Sequence, residues 1–224
     1  HGSEKKLSMQ QQLLEKMKEQ NCLVDAYLRN REGVLVSRDK DSVPYTAQIW
    51  FEGRECDTRS EKDILKNIRT LAQIHKIMQL PVEMDYAGRN LQEEYIRHNQ
   101  EMKKIRRFIR KKGAVNSFEK DYLKSVEWFL QKGEEAAAML ETTDYKNLRQ
   151  QSLQSGSICH GEYNQHNVLM LKPGTAVTNF EHWGFDVQIS DLYRFMRKIL
   201  EKYSWDVRIG MEMLRAYHQK KPIT

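Results

Sequence analysis

Two clusters of polar side chains contain the residue types that could do chemistry in this chain. The first is 160–167 (HGEYNQHN) and the second is 179–181 (NFE). The apolar runs between them, 168–171 and 176–180, flank a KPG turn, which is the pattern of a β-hairpin. A hairpin places the two clusters side by side. Because they supply carboxylate, amide and imidazole groups, the layout suits a site for a metal ion and a phosphate.

The segments around this hairpin are mainly helical. Apolar residues recur at helical spacing over six stretches, which predict helices at 10–19, 60–78, 90–112, 117–140, 191–202 and 206–218. Ser60 and Asp206 are the expected N-caps of two of these helices. β-Branched and aromatic residues predict strands at 26–28, 34–36 and 45–51. The sequence therefore predicts an α+β protein in which a small strand region precedes a mainly helical lobe with one functional hairpin.

Length and composition limit the class of protein. The chain has 224 residues, of which 39% are hydrophobic and 30% charged, and this fits one helix-rich domain or one large lobe. No apolar run approaches the length of about 18 residues that a membrane helix needs, and no secretory signal is present, so we expect neither a membrane span nor export by that route. Cys22, Cys56 and Cys159 lack metal-binding spacing and indicate a reducing compartment. Cys159 is expected to be a buried structural thiol.

Basic residues concentrate in the predicted helix segment 97–112, within a chain of net charge +6. Apolar Met102, Ile105, Phe108 and Ile109 recur there at helical spacing, so the segment is amphipathic. Two interpretations stay open: a solvated helix face, or a surface for an acidic protein, anionic lipid or nucleic acid. No zinc-finger or aromatic-rich pattern accompanies the segment, so nucleic acid is the least favoured partner.

The loop at 160–167 resembles the phosphotransferase loop of the aminoglycoside phosphotransferase and choline kinase superfamily, which has a protein-kinase-like fold. In this resemblance Glu162 stands at the catalytic-base position, Asn167 at the metal-binding Asn and Asn179 at the metal-binding Asp. Glu162 keeps the charge of the usual Asp but places it one methylene further out. Asn179 keeps an oxygen and loses the charge that magnesium favours. Glu181 is an alternative metal ligand if the strand stays extended as far as that residue.

The same resemblance implies supporting residues and cofactors. His160 and Asp191 would support the loop, Asp191 by accepting hydrogen bonds from the loop backbone. Gln48, Trp50 and Phe51 would form the hinge that contacts an adenine ring. The implied cofactors are ATP and magnesium, which these enzymes use to transfer a phosphoryl group.

Further motifs narrow the resemblance to the spore coat protein S (CotS) family. Residues 45–55 resemble its Y…W-x-E-G-R segment, 70–75 its LA-x-hydrophobic-H helix, and 195–206 its F-x-R-K…E-K…W signature. Membership would imply a kinase-like protein that is made in the mother cell and placed in the spore coat beside other coat proteins. With both acids altered, the resemblance favours a structural or interaction module, a pseudokinase. Two alternatives stay open: an ATP- and magnesium-dependent phosphotransferase acting on a small molecule or a coat protein, and a binding module using 97–112.

The resemblance also suggests a division of the chain. Residues 1–9, which begin with the tag-like HGS, are expected to be a disordered start, 10–53 the remnant of a kinase-like N-lobe, and 54–224 the helical C-lobe. A complete N-lobe needs a glycine-rich turn and a lysine on a following strand. No glycine-rich turn precedes the hinge at 48–51, so we expect a partial or truncated N-lobe.

Overall fold

The computed structural model describes residues 4–223, which form two compact units. The first unit consists of 4–87 and 152–223, and the second of 88–151. The tag-like residues 1–3 lie outside the described residues. The predicted division at residue 53 into an N-lobe remnant and a C-lobe stays a prediction.

Helices account for most of the described chain. They are α1 Glu4–Glu19, α2 Glu61–Ile77, α3 Leu91–Lys112, α4 Ser117–Thr142, α5 Tyr145–Gln154, α6 Ile189–Lys202 and α7 Val207–His218. All six predicted helices are present, and α5 is an addition. Residues 4–9, expected to be disordered, are the first turns of α1. The reason is that Leu7 lies on the same helix face as Leu14 and packs against the core with it.

The strands are short. They are β1 Leu23–Val24, β2 Tyr27–Leu28, β3 Ser37–Arg38, β4 Pro44–Tyr45, β5 Ala47–Gln48, β6 Arg54–Glu55, β7 Ile158–Cys159, β8 Val168–Met170, β9 Thr175–Val177 and β10 Gly184–Phe185. The predicted strand at 34–36 is absent, and the one at 45–51 is reduced to β4 and β5. Both of these strands are exposed, so there is little packing to extend their ladders with β3 and β2.

The predicted hairpin is present as β8 and β9, within a four-stranded sheet of order β1-β9-β8-β6. β8 and β9 pair antiparallel, with Val168 opposite Val177. β1 runs parallel to β9, with Val24 opposite Val177. The residues that follow these two parallel strands, Asp25 and Thr178, therefore leave the sheet at the same edge.

The core of the first unit fixes the helices around this sheet. Its fully buried helical side chains include Ile64, Ile68 and Leu71 of α2, Phe195 and Ile199 of α6, and Ile209 and Met213 of α7. Ser60 caps α2, because its side chain accepts the N–H of Asp63 at 3.3 Å, and Asp206 caps α7 in the same way. Arg54 holds Asp63 through two hydrogen bonds of 2.5 and 3.1 Å, which joins β6 to the start of α2.

In the second unit, α3 and α4 form an antiparallel hairpin. Four ion pairs join the two helices: Lys103–Glu134, Arg106–Glu127, Arg110–Glu127 and Lys112–Glu119. The acids of α4 thus neutralise much of the predicted basic segment. Ile109 is buried, but Ile105 and Phe108 are 49% and 64% exposed, so only part of the predicted apolar set is buried. Among the described helices, none combines the length and apolar character that a bilayer span requires.

Candidate active site

The loop at 160–167 leaves β7 and turns sharply at Gly161. This glycine has φ +83°, and a Cβ at the position would collide with the carbonyl oxygen of His182. A side chain is excluded there on both grounds. This bend separates the buried His160 from the exposed Glu162.

The side chain of Asp191 supports this loop through hydrogen bonds to the loop backbone. Its fully buried carboxylate accepts hydrogen bonds from the backbone N–H of His160 at 2.6 Å and of Gly161 at 3.0 Å. His75 Nε2–H donates to the same carboxylate at 3.2 Å, and Tyr217 Oη donates to His75 Nδ1 at 2.7 Å. Burial alone raises the pKa of Asp191, but the hydrogen bonds from His75 and His160 outweigh it and the pKa is lowered. The ionised carboxylate therefore ties the loop to α2 and α6.

His75 and His160 are both fully buried, and burial lowers the pKa of each imidazole below its ordinary value. His160 Nε2–H donates to the Thr178 carbonyl at 3.0 Å, and His160 Nδ1 accepts the N–H of Glu162 at 3.2 Å. One donor and one acceptor on the ring is the pattern of a neutral imidazole. The fold thus keeps both histidines uncharged.

These two histidines predict acid sensitivity. We expect the free energy of unfolding to fall between about pH 7 and pH 5.5, by at most roughly 2–3 kcal/mol. The unfolded chain protonates both rings below a pH of about 6.5, whereas the folded protein does so only at lower pH, so acid favours unfolding. Urea denaturation at the two pH values measures the effect. His75→Gln should remove about half of the pH-dependent loss, and exposed His98→Gln should leave it unchanged. If the free energy of unfolding of His75→Gln fell with acid as much as that of the unchanged protein, His75 would not be a source of the acid sensitivity.

Glu162, at the predicted base position, has a fixed backbone and an accessible carboxylate. Its carbonyl oxygen accepts hydrogen bonds from Asn167 Nδ2 at 2.9 Å and from Asn164 Nδ2 at 3.1 Å. The carboxylate is 46% exposed and lies 3.5 Å from Nε2 of His182. The Glu162 carboxylate therefore has the exposed His182 as an ion-pair partner. This histidine would compete with a substrate hydroxyl for the carboxylate oxygen.

The two predicted metal positions contact each other. Asn179 Nδ2 donates to Asn167 Oδ1 at 3.4 Å, and Asn179 has a left-handed backbone with φ +65°. Glu181 was a candidate metal ligand only if the strand stayed extended as far as that residue. The strand instead ends at Val177, and Phe180–His182 form a 3-10 turn. Glu181 lines a different cavity from the one beside Asn179.

Asp25, which no sequence pattern singled out, adjoins the predicted metal position Asn179. Asp25 Oδ2 accepts the backbone N–H of Asn179 at 2.7 Å. The residue is only 7% exposed, and its Oδ1 has no hydrogen-bond partner among residues 4–223. Burial raises the pKa of this carboxyl. The signal that could have found it is a single acid inside the apolar run LVDAYL, since burying a carboxylate without a partner is costly.

A cavity of about 620 Å³ is lined both by the predicted hinge and by Asn179, one of the predicted metal positions. Its lining residues are Asp25, Gln48, Ile49, Trp50, Phe51, Gly53, Glu55, His166, Leu169, Thr178 and Asn179. Gln48 Nε2 donates to the Asp25 carbonyl at 3.0 Å, which fixes the hinge to the end of β1. Trp50 is 85% exposed, so its ring is free to cover a flat ligand. Glu162 at the predicted base position and Asn167 at the other predicted metal position are not among the lining residues.

Comparison with solved structures defines the class of fold. The chain is similar to an aminoglycoside phosphotransferase from Alicyclobacillus acidocaldarius subsp. acidocaldarius DSM 446, with a TM-score of 0.80 and 17% identity over 97% of this chain and 65% of that one. It is also similar to the amicoumacin kinase hAmiN, solved in complex with AMP-PNP, Ca2+ and Ami, with a TM-score of 0.61 and 12% identity over 99% of this chain and 64% of that one. The predicted kinase-like fold is therefore confirmed.

Comparison of sequences adds one curated relative. Over 108 residues the chain is 23% identical to spore coat protein S of Bacillus subtilis (strain 168), which covers 48% of this chain and 31% of that protein. No protein-family model matches the chain. The chain thus spans about a third of the length of this relative and just under two thirds of the two solved structures. A truncated N-lobe stays a prediction.

Proposed function

We propose that this chain is a CotS-type, kinase-like protein of the spore coat that acts mainly as a structural or interaction module. The kinase-like fold, the local similarity to spore coat protein S and the motifs at 45–55, 70–75 and 195–206 support the proposal. On this proposal the protein is made in the mother cell and assembles beside other coat proteins.

The observation that carries the proposal is the pair of amides at the two metal positions. Asn167 and Asn179 are hydrogen-bonded to each other and bring no charge. Within residues 4–223, no three His, Cys, Asp or Glu side chains are grouped so that they could hold a metal ion. Magnesium in phosphoryl-transfer sites is usually held by one or two carboxylates together with the phosphates. A site with Asn179 in place of the usual Asp lacks one of these carboxylates, so it binds a magnesium–nucleotide complex weakly and supports little phosphoryl transfer.

Calorimetric titration with ATP, with and without magnesium, tests this function. We expect no magnesium-dependent binding in the low micromolar range. Such binding would count against a purely structural role and favour the second candidate below.

The second candidate is an ATP- and magnesium-dependent phosphotransferase that uses Glu162 as the base. The cavity favours it, because the hinge residues and Asn179 line one space large enough for a nucleotide base and its first phosphates. The support that Asp191 gives to the loop also favours it, since a base acts only when it is held in place.

For this candidate to survive, Glu162→Gln must abolish transfer of phosphate from ATP while the free energy of unfolding stays unchanged. The matched control is Glu32→Gln, which removes an exposed carboxylate far from the loop in sequence. Equal rates for the protein and both variants would exclude Glu162 as the base.

A further inference from the structure

The outward face of α3 combines unpaired cations with an exposed aromatic ring. Lys104, Arg107 and Lys111 are spaced three and four residues apart, so they share one face of the helix. Phe108 lies on the same side and is 64% exposed. This face points away from α4, because the buried residues of α3, Asn99 and Ile109, fall on the opposite side of the helix. We call Lys104, Arg107, Phe108 and Lys111 the α3 stripe.

The charges of the α3 stripe are uncompensated. Within residues 4–223, none of its three cations has an ion pair or a side-chain hydrogen bond, in contrast to the neighbouring cations that pair with acids of α4. The next residue along the same face is the neutral Gln100. The nearby acids are already engaged, Glu101 with Arg97 and Glu119 with Lys112. The stripe is therefore a local positive surface.

The connection to α4 adds exposed apolar side chains beside the stripe. Val115 is 73% and Phe118 74% exposed. Lys112 Nζ lies 5.3 Å from the centre of the Phe108 ring and also pairs with Glu119, so the end of the stripe and the first turn of α4 are neighbours. We call Val115 and Phe118 the hairpin tip. Exposed apolar side chains that lie together on one surface are candidates for contact with a partner.

We propose that the α3 stripe and the hairpin tip form a docking surface for a membrane that contains anionic lipid. The cations would pair with the phosphates of lipid headgroups, while Phe108, Val115 and Phe118 would enter the interfacial layer. Side chains that receive a peptide line a groove and are partly enclosed, whereas these three are 64–74% exposed and protrude. A bilayer needs no matching groove, so it fits this surface better than an acidic peptide does. This inference goes beyond the proposed function, because it holds whether or not the cavity binds a nucleotide.

Flotation of the full chain with lipid vesicles tests the inference. We expect binding to phosphatidylcholine vesicles that contain roughly 30% phosphatidylglycerol, and little binding to phosphatidylcholine alone. The triple variant K104Q/R107Q/K111Q should bind on the order of a hundredfold more weakly, because each cation near an anionic surface contributes about fivefold. Phe118→Ser should also weaken binding, while leaving the net charge unchanged.

Three controls decide the outcome. The variant R31Q/K40Q/K62Q removes the same charge from exposed positions of the first unit and should bind as the unchanged protein does. Far-UV circular dichroism should show that all variants are folded. Equal loss in both triple variants would overturn the inference in favour of a general charge effect. Binding to soluble polyglutamate without binding to vesicles would overturn it in favour of an acidic protein partner.

Discussion

Asp191→Ala is expected to lower the free energy of unfolding by about 3–5 kcal/mol, because three buried donors lose their acceptor at a cost of about 1–3 kcal/mol each. The carboxylate accepts hydrogen bonds from the N–H groups of His160 and Gly161 and from His75. Its removal leaves two backbone donors and one ring donor buried without an acceptor, and each pays its desolvation in full. Urea denaturation measures the change.

Asp206→Ala is the graded control for this variant. Asp206 also accepts a backbone N–H at the start of a helix, but at an exposed N-cap, and its loss should cost only about 1 kcal/mol. A loss of similar size in both variants would show that Asp191 contributes no more to stability than an exposed helix cap does. In that case the loop would have to be held by other contacts.

Asn179→Asp is expected to strengthen magnesium-dependent binding of ATP by about tenfold or more, because it adds a carboxylate at the predicted metal position. Without metal the same change should destabilise the protein by about 1 kcal/mol, since the new charge lies beside the carboxylate of Asp25. Calorimetry with ATP and thermal unfolding in magnesium or in EDTA measure the two effects.

Two further variants separate the causes. Asn21→Asp makes the same chemical change at an exposed residue with a similar left-handed backbone, φ +59°, and should leave the binding of ATP unchanged. Adding Asp25→Asn to Asn179→Asp should relieve the instability seen in EDTA. If Asn179→Asp binds ATP equally well in magnesium and in EDTA, residue 179 is not a metal position.

The helices were predictable because their buried faces repeat every three or four residues, a signal that is local in sequence. The helix α5 was missed because its less exposed face, Tyr145, Arg149, Ser152 and Leu153, is only half-buried and is partly polar, so it gives no apolar repeat. The strands were over-predicted at 34–36 and 45–51 because strand propensity needs a packed surface to take effect, and this part of the chain is largely exposed.

The candidate site likewise has one part that the sequence predicts and another part that depends on long-range packing. The side-by-side placement of 160–167 and 179–181 follows from one short hairpin, which the sequence shows directly. The contact of Asp25 with Asn179 depends on the parallel pairing of β1 with β9, and the link from Asp191 through His75 to Tyr217 depends on how α2, α6 and α7 pack. Such long-range arrangements leave no periodic pattern in the sequence.

The pairing of β1 with β9 also determines the order in which the chain can fold as it leaves the ribosome. Leu23 lies opposite Ala176, so this sheet cannot close until β9 has been synthesised. The hairpin of α3 and α4 is contiguous, and its local contacts can form as soon as both helices have emerged. During that interval the buried faces of α1 and α2 are made but uncovered, and this is the period when the nascent chain is most exposed to aggregation.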